Sequence, residues 1–351
     1  MATFKEQVEG LTSLSVGTTP TTAELTQFLQ DGVKDVVNRI IKLKPDDVAK
    51  FTATTHDASD AGVTVTGQIF TVAREHDSTT ILRPCEFIDP QDRYLATQAD
   101  SLAYRSKYNP GFYVLNGKVH TIPASAGSNN DSVVTQVTYD NAVTHNDSGG
   151  GNIENFPVEY EYLVILYAGS RTILAYLGNI DSELPSDLVL PANPAPPTLS
   201  DNSVAALGTA PTYTKPSVSL DFGSVDSFIN DDDPEMAGLK LNKVNSELTN
   251  FQADMQNELN EYNKENAEYQ ADMQKKIQDA QLSSQDDGQK LQKYSAEVSK
   301  YQAEVQSLVT DYNAKIAKLG AKYQWAASRY AALQQEYNNA FGLMTQKQGK
   351  G

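Results

Sequence analysis

The sequence predicts an α+β protein, in which a small mixed helix and antiparallel-sheet domain precedes an extended proline-rich arm and a long helical region. In the first half, two amphipathic helical patterns flank short alternating segments and an Asn-Gly turn. All 15 prolines lie at or before Pro234, and the rest of the chain is rich in helix-forming residues. These observations divide the chain into residues 1–184, 185–233 and 234–346, followed by a flexible tail, 347–351.

Two segments of the first domain have strong helical patterns. In residues 21–44 the apolar side chains recur at i, i+3, i+4 and i+7, and Thr21 with Glu24 matches a capping box. The second helix opens at Pro157, and Gly178 is a suitable residue just beyond its end. We expect both helices to bury one face in the domain core.

Between these helices the pattern favours strands. Residues 63–72 alternate apolar and polar positions, and a second strand is expected around Thr79–Leu82. A further helix is predicted from Asp89-Pro90 to about Tyr104. Two short apolar runs flank Asn116-Gly117, the dipeptide preferred in tight hairpin turns, and Val133–Tyr139 fits one more strand.

Residues 185–233 are dominated by proline, which favours an extended chain with few backbone donors. One interpretation is a linker between domains. The other is an arm that lies on a neighbouring subunit, because part of this segment alternates as a paired strand would. The candidate arm contacts are Tyr213, Val218, Leu220 and Phe222.

The last region has the apolar periodicity typical of a coiled coil. It carries the candidate oligomer-interface residues Leu248, Met255, Leu259, Tyr262, Tyr269, Met273, Tyr294, Val298, Tyr301, Val305, Leu308, Tyr312, Leu319, Tyr323, Tyr330 and Leu333. Residues 283–288, SSQDDG, are the one place where the helical pattern of this region is weak. Residues 235–289 carry a net charge of −6 and residues 290–351 one of +5, which favours an antiparallel hairpin, although a continuous rod is the alternative.

The charge is concentrated in the first part of the chain. Of the net charge of −17, residues 1–234 account for −16. An acidic surface disfavours sequence-specific nucleic-acid binding and binding to anionic membranes, since both need clustered Lys and Arg. No apolar run approaches the roughly 20 residues that cross a bilayer, so no membrane partner is expected.

The sequence contains no standard catalytic, cofactor-binding or metal-binding motif. His56, His76, His120 and His145 lack metal-ligand spacing, and Cys85 is the single cysteine. The triplet Asp231–Asp233 is interpreted as an acidic helix start, with a divalent-cation site as the less favoured alternative. We therefore predict no enzymatic activity and no cofactor.

Several segments together resemble virion structural proteins of tailed bacteriophages. They are TAELTQFLQDGVKDVVNRII, SKYNPGFYVLNGKVHTIPA, FPVEYEYLVILYAGSRTILAYL, DDDPEMAGLKLNKVNSELTNFQADMQNELNEYNKEN and KLQKYSAEVSKYQAEV. The front part is similar to head–tail connector (adaptor or neck) proteins, which return with a helix near a Pro-Xaa-Glu-Tyr pattern, here Pro157 to Tyr160. The chain as a whole departs from these proteins, because simple adaptors are mostly helical and lack a long coiled tail.

The resemblance implies a structural component of the virion, made in the host cytoplasm and assembled into the particle. Its expected partners are further copies of itself, as a ring or trimer, and portal, neck or tail proteins. One alternative is a tail-fibre, whisker or head-fibre protein with a coiled-coil rod. Another is a host-envelope glycan-binding or hydrolytic module.

Overall fold

A computed structural model of the chain describes residues 2–127, 129–180, 188–199, 208–216, 234–283 and 285–346. The predicted arm contacts Val218, Leu220 and Phe222, the Asp231–Asp233 triplet and the tail 347–351 lie outside the described residues. The chain divides into two compact units, one formed by Met1–Thr172 with Ala332–Gly351 and the other by Ile173–Ala331. Among the described residues, none of the helices combines the length and hydrophobicity needed to cross a bilayer.

The elements confirm the α+β class. The helices are α1 (Phe4–Thr12), α2 (Thr22–Leu43), α3 (Arg93–Thr97), α4 (Glu161–Gly178), α5 (Pro234–Ser283) and α6 (Gln285–Gln346). The strands are β1 (Thr52–Asp57), β2 (Val63–Thr64), β3 (Ile69–Glu75), β4 (Leu82–Pro84), β5 (Glu86–Phe87), β6 (Gly111–Leu115), β7 (Lys118–Ile122) and β8 (Ser132–Val137). Two 3-10 helices, Pro45–Phe51 and Val158–Tyr160, precede β1 and α4.

The strands form two four-stranded sheets, in the orders β1-β8-β3-β4 and β2-β7-β6-β5. Every pairing is antiparallel except β5 with β6, which is parallel. Val63, Val72, Val119 and Val134 come from both sheets and share one buried apolar cluster. The predicted Asn116-Gly117 turn joins β6 to β7, and both residues have positive φ (52° and 72°), as a type I′ turn requires.

The capping prediction for α2 is confirmed by its hydrogen bonds. The amide of Thr21 donates to the Glu24 carboxylate at 2.7 Å, and the amide of Glu24 donates to the Thr21 hydroxyl at 3.2 Å. The helix buries its apolar stripe, and Gly32 marks its close approach to α4. A Cβ at Gly32 would lie 3.1 Å from the Tyr167 ring and 3.3 Å from Val164, so a larger residue would push the helices apart.

Residues 332–346, the end of α6, pack within the first unit against α2 and α4. Tyr337 is 2% exposed, and its hydroxyl donates to the Asp35 carboxylate. Arg39 pairs with the same carboxylate at 2.8 Å and lies over the Tyr337 ring at 5.1 Å. Burial, reinforced by the neighbouring Asp35 charge, raises the pKa of Tyr337 far above its usual range, so its hydroxyl stays a donor.

The glycine-rich loop at residues 145–151 is held by one buried carboxylate. Glu161, at the start of α4, accepts hydrogen bonds from the amides of Gly150 (2.6 Å) and Gly151 (2.7 Å). Both glycines have φ near +100°, a conformation that side chains rarely allow. Glu161 is 5% exposed, so these two bonds compensate the burial of its charge.

Two local predictions differ from the structure. The helix expected from Asp89 to Tyr104 is wrong, because only Arg93–Thr97 is helical and turns follow it. Apart from the buried Ala96, its large apolar residues Tyr94, Leu95, Leu102 and Tyr104 face solvent, so no broad buried face stabilises further turns. The strand expected at Thr79–Leu82 begins only at Leu82, since the preceding residues form a turn. Helix α1 and strand β1 were not predicted.

Candidate functional site

The first unit exposes an unusual number of large apolar side chains between residues 81 and 108, which we call the apolar segment. Leu102 is fully exposed, and Tyr94 (64%), Tyr108 (63%) and Phe87 (62%) are almost as open. The other exposed members are Ile81, Leu82, Leu95 and Tyr104. Single exposed apolar residues are common, but a concentration in one stretch is typical of an interaction surface.

Short elements and turns hold the backbone of this segment while its side chains face outward. The Asp89 carboxylate accepts from the Gln91 amide at 2.9 Å, and the Arg105 amide donates to the Ala96 carbonyl at 2.9 Å. Beneath them, Ile88, Ala96 and Ile122 form a small buried cluster. The segment is therefore anchored to the fold by its backbone and by a few small contacts.

A hollow of about 390 Å³ lies beside these side chains and combines aromatic rings with two arginines. The Arg93 guanidinium stacks over the Tyr94 ring at 4.2 Å and donates to the Pro90 carbonyl at 2.6 Å. Arg105, on the same hollow, pairs with Glu86. Tyrosine and arginine around an apolar surface are the residue types that dominate binding energy in protein interfaces.

The predicted oligomer-interface residues lie in the second unit, except Leu333, which belongs to the first. Helices α5 and α6 contact each other there in an antiparallel hairpin: Gln270 donates to Gln302 at 3.0 Å, and Gln324 donates to Asn245 at 3.2 Å. The continuous rod is therefore wrong for the described residues. Helix α5 ends at Ser283 and helix α6 begins at Gln285, so the two helix ends fall within residues 283–288.

Most of these interface candidates are buried within one chain. Met255, Met273, Val298 and Val305 are at most 1% exposed, and Tyr269 is half-buried. Their burial therefore gives no sign of an interface between copies, and their role in oligomerisation stays a prediction. Leu308 is an exception, because it is 37% exposed while Val309 takes the buried position.

The described part of the proline-rich segment packs on the chain's own hairpin. Tyr213 is 4% exposed, contacts the Tyr262 ring edge-on at 6.2 Å, and donates to the Met255 carbonyl at 3.4 Å. Tyr294 donates to the Pro194 carbonyl at 3.3 Å, and Tyr269 donates to the Gly208 carbonyl at 2.8 Å. Residues 188–199 and 208–216 are thus neither a free linker nor, at these side chains, free to contact a neighbour.

The buried tyrosines of the hairpin and of the segment packed on it are structural groups. Burial raises the pKa of Tyr213 and of Tyr262 to about 12, so both hydroxyls stay protonated at neutral pH. Burial likewise raises the pKa of the Cys85 thiol to about 12, which makes it a poor nucleophile. None of these groups is prepared for acid–base or nucleophilic chemistry.

Three of the four histidines have neighbouring side chains that give them a structural role. His145 shares a hydrogen bond with the Thr26 hydroxyl at 2.9 Å, His120 stacks on Tyr113 at 5.3 Å, and His76 lies 3.2 Å from the Asp77 carboxylate. His56 instead lies beside Glu75 and Asp131. Sequence reasoning missed this group because its members are far apart in sequence and meet only through strand pairing.

Neither the family models nor the curated proteins contain a match to this chain.

Proposed function

We propose that this chain is a non-enzymatic structural component of a tailed-phage virion, most consistent with a head–tail connector or neck protein. In this role it assembles with further copies of itself and holds portal, neck or tail components. The apolar segment is the observation that carries the proposal. The resemblance of the sequence segments to virion structural proteins supplies the biological setting.

The apolar segment supports assembly because its exposure to water is unfavourable in free energy for a monomer. At roughly 25 cal/mol per Å² of apolar surface removed from water, covering even part of it contributes several kcal/mol to association. Arg93 lies within this surface, in a unit that is otherwise acidic, whereas Arg105 is already paired with Glu86. An acidic group on another copy or another virion protein would complement Arg93.

The uneven charge is consistent with a place on the DNA path. Residues 1–234 carry a net charge of −16. In a ring, a negative inner surface repels the duplex and lets it slide without binding.

The hairpin supports the connector role over the fibre alternative. A trimeric rod of single helices uses its apolar stripe to bind other chains. Here α5 and α6 bury that stripe against each other and against the proline-rich segment within one chain.

Assembly is tested by measuring the particle mass of the purified chain with light scattering and its symmetry with negative-stain microscopy. We expect a closed ring of six or twelve copies. Leu102→Asp should dissociate it, because it places a charge in the proposed contact. Val158→Asp is the matched control, since Val158 is 54% exposed in the same unit but outside the apolar segment.

A wild-type chain that stays monomeric at high concentration contradicts the proposal, as does a Leu102→Asp variant that assembles like the Val158→Asp control. Localisation has its own test, mass spectrometry of purified virions. A connector should occur there in a fixed ratio to the portal protein.

A further inference from the structure

Three metal-ligating side chains from separate parts of the sequence meet on one sheet of the first unit. They are His56 on β1, Glu75 at the end of β3, and Asp131 just before β8. One ligand atom of each lies within 4.8 Å of the other two, and His56 Nδ1 is 3.9 Å from a Glu75 carboxylate oxygen. The group offers one imidazole nitrogen and two carboxylates.

Strand pairing fixes this arrangement. Strand β8 lies between β1 and β3, with Ser132 opposite both Asp57 and Arg74. The Glu75 amide donates to the Asp131 carbonyl at 3.0 Å, and the Asp131 amide donates back to the Glu75 carboxylate at 3.2 Å. The two carboxylates are therefore held side by side by the backbone, before any ligand binds.

The two carboxylates of the group have few partners that could balance their negative charge. Glu75 is 2% exposed, and the described residues give it one ion pair, with His56. One carboxylate oxygen of Asp131 is fully buried and lacks a hydrogen-bond partner among the described residues. Arg74 is adjacent, but its guanidinium donates to the backbone carbonyls of Pro123, Ala124 and Glu75 and to the Asn130 side chain. A buried, unpartnered carboxylate oxygen is unfavourable unless a proton or a cation satisfies it.

We propose that His56, Glu75 and Asp131 bind a divalent transition-metal ion, with Zn²⁺ the best fit. Mixed imidazole and carboxylate donors suit Zn²⁺, whereas Ca²⁺ and Mg²⁺ prefer oxygen ligands throughout. Tetrahedral Zn²⁺ ligands lie about 3.4 Å apart. The His56 side chain is 56% exposed and can rotate to close the 3.9 Å gap, while the buried Glu75 stays in place.

Such an ion would cross-link β1, β3 and the start of β8. Three protein ligands leave a fourth position, which water or a side chain of another molecule can occupy. The site is independent of the proposed role in the virion, because it needs only the fold of the first unit.

The test uses the full chain after treatment with a chelator, titrated with Zn²⁺, Mn²⁺ and Ca²⁺ by calorimetry. We expect one Zn²⁺ per chain, weaker Mn²⁺ binding and no saturable Ca²⁺ binding. A saturating excess of Zn²⁺ should raise Tm by about 5 °C. Co²⁺ in place of Zn²⁺ should produce visible absorption bands of a low-symmetry site.

His56→Gln is the main variant, because an exposed side chain can be replaced without unfolding the chain. It should weaken Zn²⁺ binding at least tenfold and abolish the Tm shift. Asp131→Asn should do the same, and His120→Gln is the matched control that should leave binding unchanged. Absence of saturable Zn²⁺ binding, or equal affinity in His56→Gln and His120→Gln, would overturn the proposal.

Discussion

Replacing Tyr213 by alanine should release the proline-rich segment from the hairpin. The Tyr213 ring is 4% exposed and belongs to the buried cluster that includes Phe251, Met255 and Tyr262. Truncation of a buried aromatic residue costs about 3–5 kcal/mol. Because roughly 1.4 kcal/mol is a factor of ten, the open state of the segment should become at least about 100-fold more populated.

Tyr213→Phe separates the ring from its hydroxyl. The ring contacts remain, and the variant loses only the hydroxyl, which lies 3.4 Å from the Met255 carbonyl oxygen and 3.3 Å from the Met255 sulfur and can donate to one of them at a time. A single neutral hydrogen bond contributes about 0.5–1.5 kcal/mol, so the phenylalanine variant should stay close to wild type. Val189→Ala is the matched control, since Val189 lies in the same segment and is 81% exposed.

The assay combines chemical denaturation with proteinase K cleavage under native conditions. Tyr213→Ala should lower the denaturation midpoint and accelerate cleavage within residues 188–216 by about two orders of magnitude. The segment is cleaved while the first unit stays folded. If Tyr213→Ala is cleaved no faster than Val189→Ala, the packing of this segment on its own hairpin contributes no stability and the reasoning fails.

Three further substitutions test the first unit. Tyr337→Phe removes a hydrogen bond to a carboxylate and should lower the free energy of unfolding by about 1.5–3 kcal/mol, measured by denaturant titration. An unchanged denaturation midpoint would mean that the contact of Tyr337 with Asp35 does not stabilise the first unit. Glu161→Gln should cost a similar amount, whereas Glu159→Gln, on an exposed side chain, should change stability by less than about 1 kcal/mol. Burial would raise the pKa of Asp57, but the amides of Ser59 and Gly62 outweigh it and lower that pKa. Its stabilising effect is therefore present above about pH 4 and lost as pH falls through the folded pKa, so Asp57→Asn should flatten the acid side of the stability profile, measured as Tm against pH.

The sequence predicted best where local chemistry decides the structure. The capping box of α2 and the Asn-Gly hairpin depend on residues within a few positions of each other, and both are found where expected. The Asp89–Tyr104 helix failed for the opposite reason. Its N-cap aspartate and the proline that follows were favourable, but a helix of this length needs a packed face, and Leu95, Leu102 and Tyr104 have none.

The candidate metal site depends on pairing between distant strands, which the periodicity of the sequence does not predict. His56, Glu75 and Asp131 meet because β8 lies between β1 and β3, an order set by long-range contacts. The apolar segment could have been noticed by its density of large apolar residues. Their exposure, however, follows from the shortness of β4, β5 and α3, which spacing alone did not predict.

The tyrosine-rich stripe of α5 and α6 shows why periodicity identifies a buried face but not its partner. A two-helix seam needs a narrow apolar stripe, whereas this stripe also carries hydroxyls that reach the proline-rich segment. Tyr294 donates to the Pro194 carbonyl, and its hydroxyl lies 3.1 Å from that of Tyr269, which donates to Gly208. One stripe thus serves two partners in the same chain, an opposite helix and an extended segment whose prolines lack amides. Since the interior of the hairpin is occupied in this way, the contacts between copies that we propose are expected on the exposed residues of the first unit, where apolar side chains still face water.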